Sequence, residues 1–150
     1  MRKRRISDNS TTIFPRVGAL AVVIEGDRVL LVRRGADKPD AGLWGFPGGH
    51  VEAGETVHAA ALRELSEETC LSAQAVETLM CLDLIRHDAA GALLFHYLLI
   101  AVRCTGAQGA LMACDDAAAA EWHLIADVLS QKIPLSTDVD TVIKRALGRG

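Results

Sequence analysis

The chain has 150 residues, 50% of them hydrophobic and 23% charged, ordinary globular usage that excludes a fibrous or wholly disordered protein. Sixteen Lys and Arg against nineteen Asp and Glu leave a net charge of -3, which supplies no basic field for nucleic-acid or membrane binding. No stretch approaches the roughly 20 apolar residues of a membrane helix, and a chain this long folds without needing a metal or disulfide merely for stability.

The one basic run, Arg2-Lys3-Arg4-Arg5, leads into the polar stretch Ser7 to Thr12. Residues 1–12 therefore read as a flexible basic and polar tail, and 13–150 as a single domain. Pro15 and Arg16 interrupt what would be the apolar region of a secretory signal, so a cytoplasmic location is expected. The cysteines Cys70, Cys81, Cys104 and Cys114 include no C-x-x-C pair. They are expected as buried, reduced thiols rather than as a disulfide framework or a metal site.

Val17 to Ile24 and Arg28 to Val32 are rich in Val, Ile and Leu around the polar stretch Glu25-Gly26-Asp27, which predicts two antiparallel strands joined by a tight turn. Gly35 to Gly42 is a loop by its turn residues, and Leu43 to Phe46 a short apolar segment that stops at Pro47-Gly48-Gly49. From Thr56 to Thr69 the apolar positions Val57, Ala60, Ala61 and Leu65 recur at three- and four-residue spacing, predicting an amphipathic helix. Ala75 to Ile85 and Ala92 to Cys104 read as a second strand pair with His87 to Gly91 as its turn. Asp115 to Ala120 is open between loop and helical turn, Glu121 to Leu124 is a candidate short strand, and Ile125 to Gln131 and Thr137 to Leu147 are expected helices separated by Pro134. Strands, a helix, more strands and terminal helices predict an α/β fold, a sandwich on a central mixed sheet.

The chemistry is concentrated at the start and end of the first predicted helix. Glu64 and Glu68 stand at i and i+4, Glu64 and Glu67 at i and i+3, and Arg63 and Glu67 at i and i+4, so three carboxylates and one guanidinium share a surface. On its own such a pattern is usually a solvated helix face. Preceded by Pro47-Gly48-Gly49, whose glycines let backbone approach a ligand, it becomes an oxygen-rich site suited to Mg²⁺ or Mn²⁺ and phosphate.

The spacing then carries a resemblance. Gly49, five residues, Glu55, seven residues, Arg63-Glu64-Leu65, one residue, Glu67-Glu68, one residue and Cys70-Leu71 closely resemble the Nudix box, with Cys70 standing where that box has Gly. The segment Gly42 to Gly49 and the Trp122 region are similar as well, so the likeness spans about Val17 to Leu129. It implies a Nudix α/β/α sandwich and metal-assisted hydrolysis of a nucleoside diphosphate linked to another moiety, by water attack at phosphorus. It further implies Gly48, Glu64, Glu67 and Glu68 as metal-binding positions, with either Glu64 or Glu67 taking the proton from water. Arg63 is expected to orient the glutamates, with Glu55 supporting it.

Gly49, Arg33, Arg34 and Trp44 are the expected substrate contacts, Trp44 being otherwise a core aromatic. The family sometimes takes its base from a later loop; Asp115, Asp116 and Glu121 are the candidates, Asp116 being preferred. The pattern is similar to the small ADP-ribose pyrophosphatase-like branch, although the Pro of one ADP-ribose group is replaced by His87 and the Tyr of dinucleoside-polyphosphate hydrolases is absent. ADP-ribose or a related sugar nucleotide is expected ahead of (d)NTPs. The alternative is a catalytically weak or inactive Nudix-fold sensor that binds a nucleotide. A bacterial source and a homodimer are expected, although no stripe marks an interface. A residue other than Gly just past a helix end costs about 1 to 2 kcal/mol in the left-handed conformation, so Cys70 is expected to change local geometry modestly.

Overall fold

The computed structural model describes residues 12–38 and 40–148. The expected tail over 1–12 therefore lies, apart from Thr12, outside the described residues. No helix among them is long and apolar enough to cross a membrane.

The first strand pair forms as its sequence predicts. β1 (Arg16–Glu25) and β2 (Arg28–Arg34) pair antiparallel, Ile24 opposite Val29 and Glu25 opposite Arg28, around Gly26, whose φ of 60° is one that a turn assigns to glycine. Gly18 to Val23 of β1 are all buried, the mark of a strand covered on both faces. Ala19, Ala21 and Val23 join one core cluster, and Leu20 and Val22 the other.

β3 (Trp44–Gly45) pairs with β2, and β4 (Gly48–His50) pairs with β1. The sequence ends an element at Pro47-Gly48-Gly49, yet the two glycines enter the sheet there. A Cβ on Gly48 would collide with the Ala19 carbonyl and the Leu20 side chain, so only glycine brings this backbone so close to β1.

α1 (Val57–Thr69) begins at Thr56, whose hydroxyl accepts from the Ala59 N–H at 3.1 Å, and buries Ala60, Ala61, Leu65 and Thr69 against the first cluster. β5 (Ser72–His87) and β6 (Leu93–Gln108) are longer than their apolar runs because the antiparallel ladder carries polar residues on its open face and absorbs several register shifts. β6 also runs parallel to β1 from Arg16 opposite Tyr97 to Val23 opposite Cys104. That makes the sheet mixed. β7 (Ala117–Leu124) pairs antiparallel with β2; against the expected loop or helical turn over Asp115 to Ala120, Ala117 to Ala120 extend the short strand expected at Glu121 to Leu124, because β2 offers them a ladder. α2 (Ile125–Leu129) and α3 (Val139–Ala146) pack Ile125, Val128, Val142 and Ile143 on the second cluster, opposite α1. The result is an α/β/α sandwich.

The cysteines correct the sequence reading. Cys70 and Cys114 are joined in a disulfide, Cys81 is exposed, and only Cys104 is the buried thiol expected. The cause is tertiary. The last turn of α1 lies against the loop between β6 and β7, where the N–H groups of Met112 and Cys114 donate to the carbonyls of Thr69 (3.1 Å) and Glu68 (2.9 Å). That contact brings two cysteines 44 positions apart to a Cα separation of 6.6 Å, within disulfide reach.

Candidate functional site

The site is built where β4 meets α1. Both faces of that junction are set by close approach. A Cβ on Gly49 would lie 2.5 Å from Glu64 Oε1, so glycine lets the Glu64 carboxylate rest directly on the β4 backbone. Gly48 N–H donates to Glu68 Oε2 at 3.1 Å. Two glutamates one helical turn apart are thereby drawn to adjacent glycines.

Arg63 organises the rest. Its Nε and one terminal nitrogen donate to the two Glu55 oxygens at 2.7 and 3.0 Å, and the other terminal nitrogen donates to Glu64 at 2.9 Å and Glu67 at 3.2 Å. The nitrogen that meets Glu55 also reaches the His50 carbonyl at 2.9 Å. Glu55 in turn accepts from the Glu52 N–H at 3.1 Å, closing the loop before the helix. A planar guanidinium with five donors suits such a set of acceptors; an ammonium cannot span it in this way.

The charges respond to this arrangement. Hydrogen bonding to Arg63 holds the Glu55 carboxyl below its ordinary value, and the same bonds raise Arg63. Burial raises Glu64 despite its bond to Arg63. Burial, with the charge of Glu64 beside it, pushes Glu68 up to about 8, opposed by the Gly48 N–H and the charge of Arg34. A buried carboxylate that is costly to ionise alone is one that an added cation relieves.

Among the described residues, no three carboxylate, imidazole or thiol groups form a preformed coordination shell. The donor chemistry nevertheless fits a hard divalent cation. Glu64, Glu67, Glu68 and the Gly48 carbonyl present oxygen alone, and Glu64 and Glu67 share one Arg63 nitrogen that a cation would have to displace.

The remaining expected contacts separate along β2. The charge of Arg34 is one that favours ionised Glu68, and Arg34 lines a groove with Asp40, Phe46, Leu99, Ser136 and Asp138. Arg33, on the opposite face of the strand, lies over the Trp44 ring at 5.7 Å. Trp44 is 7% exposed and sits in the second core cluster, with His123 edge-on to its ring at 4.6 Å; of the expected substrate contacts it is the one already covered. Asp116 is exposed and pairs with Lys38 at 3.2 Å. Its neighbour Asp115 is the loop residue whose charge reaches Glu64 and Glu68.

Two features had no signal in the sequence. Arg86 on β5 ties Asp40 at 3.2 Å to Thr137 at 3.4 Å across one end of the groove, a contact between residues 46 and 51 positions apart. The Cys70–Cys114 bridge fastens α1 to the loop that carries Asp115.

Comparison with known proteins gives a consistent result. A family model described as NUDIX domain matches residues 14–145. An ADP-ribose pyrophosphatase of Methanocaldococcus jannaschii is 31% identical over 122 residues, covering 81% of this chain and 69% of that protein. A putative nudix hydrolase of Caenorhabditis elegans is 34% identical over 137 residues, which cover 87% of this chain and 33% of that protein. Among solved structures, a MutT NUDIX hydrolase from Burkholderia pseudomallei superposes with a TM-score of 0.75 at 28% identity, covering 88% of this chain and 98% of that one. The NUDIX domain of NrtR from Shewanella oneidensis, solved with ADP ribose, gives a TM-score of 0.69 at 26% identity, with coverages of 96% and 94%.

Proposed function

The chain belongs to the NUDIX family of hydrolases, and from that premise we propose that it uses Mg²⁺ or Mn²⁺ to cleave the diphosphate linkage of a nucleoside diphosphate joined to another moiety, ADP-ribose or a related sugar nucleotide ahead of (d)NTPs. The observation that carries this reading is the Arg63 hub, which gathers Glu55, Glu64 and Glu67 within 3.2 Å of one guanidinium beside the Gly48-Gly49 backbone. The preference for ADP-ribose is supported by the pyrophosphatase relative and by the neighbour solved with that ligand.

A divalent cation held by Glu64, Glu67, Glu68 and the Gly48 carbonyl would offset charge on the diphosphate and lower the pKa of a bound water. Each side chain then has a separate task. Glu68 is the anchored carboxylate, fixed to the Gly48 N–H. Glu64 is 13% exposed and pressed on Gly49. Glu67 is 45% exposed with a single 3.2 Å bond to Arg63, and its freedom and solvent access suit the acceptor of the water proton. Arg63 holds the carboxylates in register, and Glu55 orients Arg63. Arg34, between the cluster and the groove, is suited to a substrate phosphate. The groove beyond it, with Phe46 and Leu99 on its walls and Asp40 and Asp138 at its rim, suits the nucleoside.

The test is release of phosphate, with a coupled phosphatase where needed, from ADP-ribose, sugar nucleotides, dinucleotides and (d)NTPs at millimolar Mg²⁺. Metal-dependent cleavage that EDTA and Glu67→Gln abolish is expected. Saturable binding with no turnover under either metal would replace the hydrolase with a nucleotide sensor.

A further inference from the structure

The loop between β6 and β7 touches the end of α1 through few bonds. Residues 110–114 have no regular structure, and their described ties to the helix side are the two backbone bonds to Glu68 and Thr69, the packing of Leu111 on the cluster that α1 covers, and the disulfide. Cys70 closes the helix in the left-handed conformation, φ 61°, two residues after Glu68. Cys114 precedes Asp115, itself left-handed at φ 53°. The bridge therefore fixes Asp115 relative to the acidic face of α1 within one residue on the loop side and two on the helix side. Resting on the metal-dependent reading above, we propose that the Cys70–Cys114 disulfide is a thiol-responsive clamp that holds Asp115 against Glu64 and Glu68, so that its oxidation state sets the affinity of the site for a divalent cation.

Two further observations agree. The Cys114 N–H donates to the Glu68 carbonyl at 2.9 Å, so the chain enters Asp115 one residue from the backbone of Glu68. Cys70 is exposed and Cys114 half-buried, which leaves the bridge open to attack. The thiolate of a low-molecular-weight thiol attacks Cys70 Sγ, the S–S bond breaks, and its electron pair leaves on Cys114 Sγ, which takes a proton. A second thiolate attacks the mixed disulfide, releasing Cys70 as a thiol and one small-molecule disulfide. Two electrons and two protons enter the protein, and two small thiols are oxidised to one disulfide. In a reducing compartment the clamp opens; under oxidation it closes. With the clamp closed, Asp115 would add a carboxylate to the oxygens of Glu64 and Glu68 for a divalent cation, and Cys70 and Cys114 are positioning residues.

The experiment is a Mn²⁺ titration of the full chain without substrate, read from the electron paramagnetic resonance of free Mn²⁺. The protein is oxidised or reduced with a phosphine and desalted, and free thiols are counted in both forms. Reduction is expected to raise the thiol count by two and weaken Mn²⁺ binding about tenfold, the scale of lost outer-shell partners. Cys114→Ser should bind at the reduced level whether or not it is treated. Asp115→Asn should bind weakly in both forms and lose its response to reduction. Equal Mn²⁺ affinity in the oxidised and reduced wild type, an unchanged thiol count, or a full response to reduction in Asp115→Asn would each overturn the clamp while leaving the hydrolase standing. No Mn²⁺ binding in either form would overturn the clamp and leave the hydrolase to the phosphate-release test.

Discussion

Glu68 gives the most quantitative test of the site's electrostatics. Its carboxyl is pushed from an ordinary 4.5 up to about 8, mainly by burial and then by Glu64. Because the folded value lies above the unfolded one, the folded state binds the proton more tightly. The contribution of Glu68 to stability is therefore fully present below pH 4.5 and is lost as pH rises through 8. At about 1.4 kcal/mol for each pH unit between 4.5 and about 8, the ceiling on that loss is about 5 kcal/mol. Water penetration and relaxation reduce it, and about 2 to 3 kcal/mol is the expected size. Glu68→Gln removes the charge while keeping an acceptor for the Gly48 N–H. Urea unfolding in EDTA should find the variant more stable than wild type by about that amount at pH 8.5, with the advantage vanishing near pH 4.5. Adding Mg²⁺ should reverse the order, because only the wild type gains from the cation. A variant equal to or weaker than wild type at pH 8.5 in EDTA, with the same pH dependence, would refute the reasoning.

Three other outcomes follow from contacts described above. Gly49→Ala places a methyl 2.5 Å from Glu64 Oε1, so the carboxylate must move; kcat should fall about 100-fold with little change in melting temperature, and unaltered kinetics would contradict the close approach. Arg63→Lys keeps the charge but cannot serve Glu55, Glu64 and Glu67 together; a loss of about 10- to 100-fold in kcat/KM is expected, and near-normal kinetics would show that the hub is dispensable. Cys70→Gly should change sign with redox state. It relieves about 1 to 2 kcal/mol of left-handed strain but opens a disulfide across a separation of 44 residues, worth about 4 kcal/mol by chain entropy. Urea denaturation should therefore show a net loss without reductant and a gain with it, and the same sign in both would remove this account.

What the sequence makes legible is whatever depends on local spacing. Glu64, Glu67 and Glu68 fall on one helix face because the helical repeat places them there, and Thr56 and Leu65 announce where the helix begins and what it buries. The hairpin of β1 and β2 follows from two β-branched runs around Gly26. What it hides depends on distant partners. Gly48 and Gly49 look like a stop signal because nothing local says that β1 lies against them. Trp44 reads equally as a core or a ligand aromatic until the second cluster closes over it. Cys70 stands out locally only as the residue at the box Gly and Cys114 not at all, and only the docking of the β6–β7 loop on the last turn of α1 makes them a pair. Arg86 meets Asp40 and Thr137 for the same reason, through a sheet order that no local pattern encodes. The pairing of Asp116 with Lys38 at 3.2 Å is of the same kind, since nothing local joins positions 38 and 116.

In the proposed reaction this acidic helix face and its glycine backbone direct water onto a diphosphate with metal help. The most direct measurement is product analysis by mass spectrometry after turnover of ADP-ribose in ¹⁸O-labelled water at millimolar Mg²⁺, with wild type and Glu64→Gln run in parallel. Cleavage of the diphosphate bond is expected, with one ¹⁸O in one of the two phosphate-bearing products and loss of the reaction in EDTA and in the variant. Turnover that persists in both controls, or products free of label at phosphorus, would contradict it.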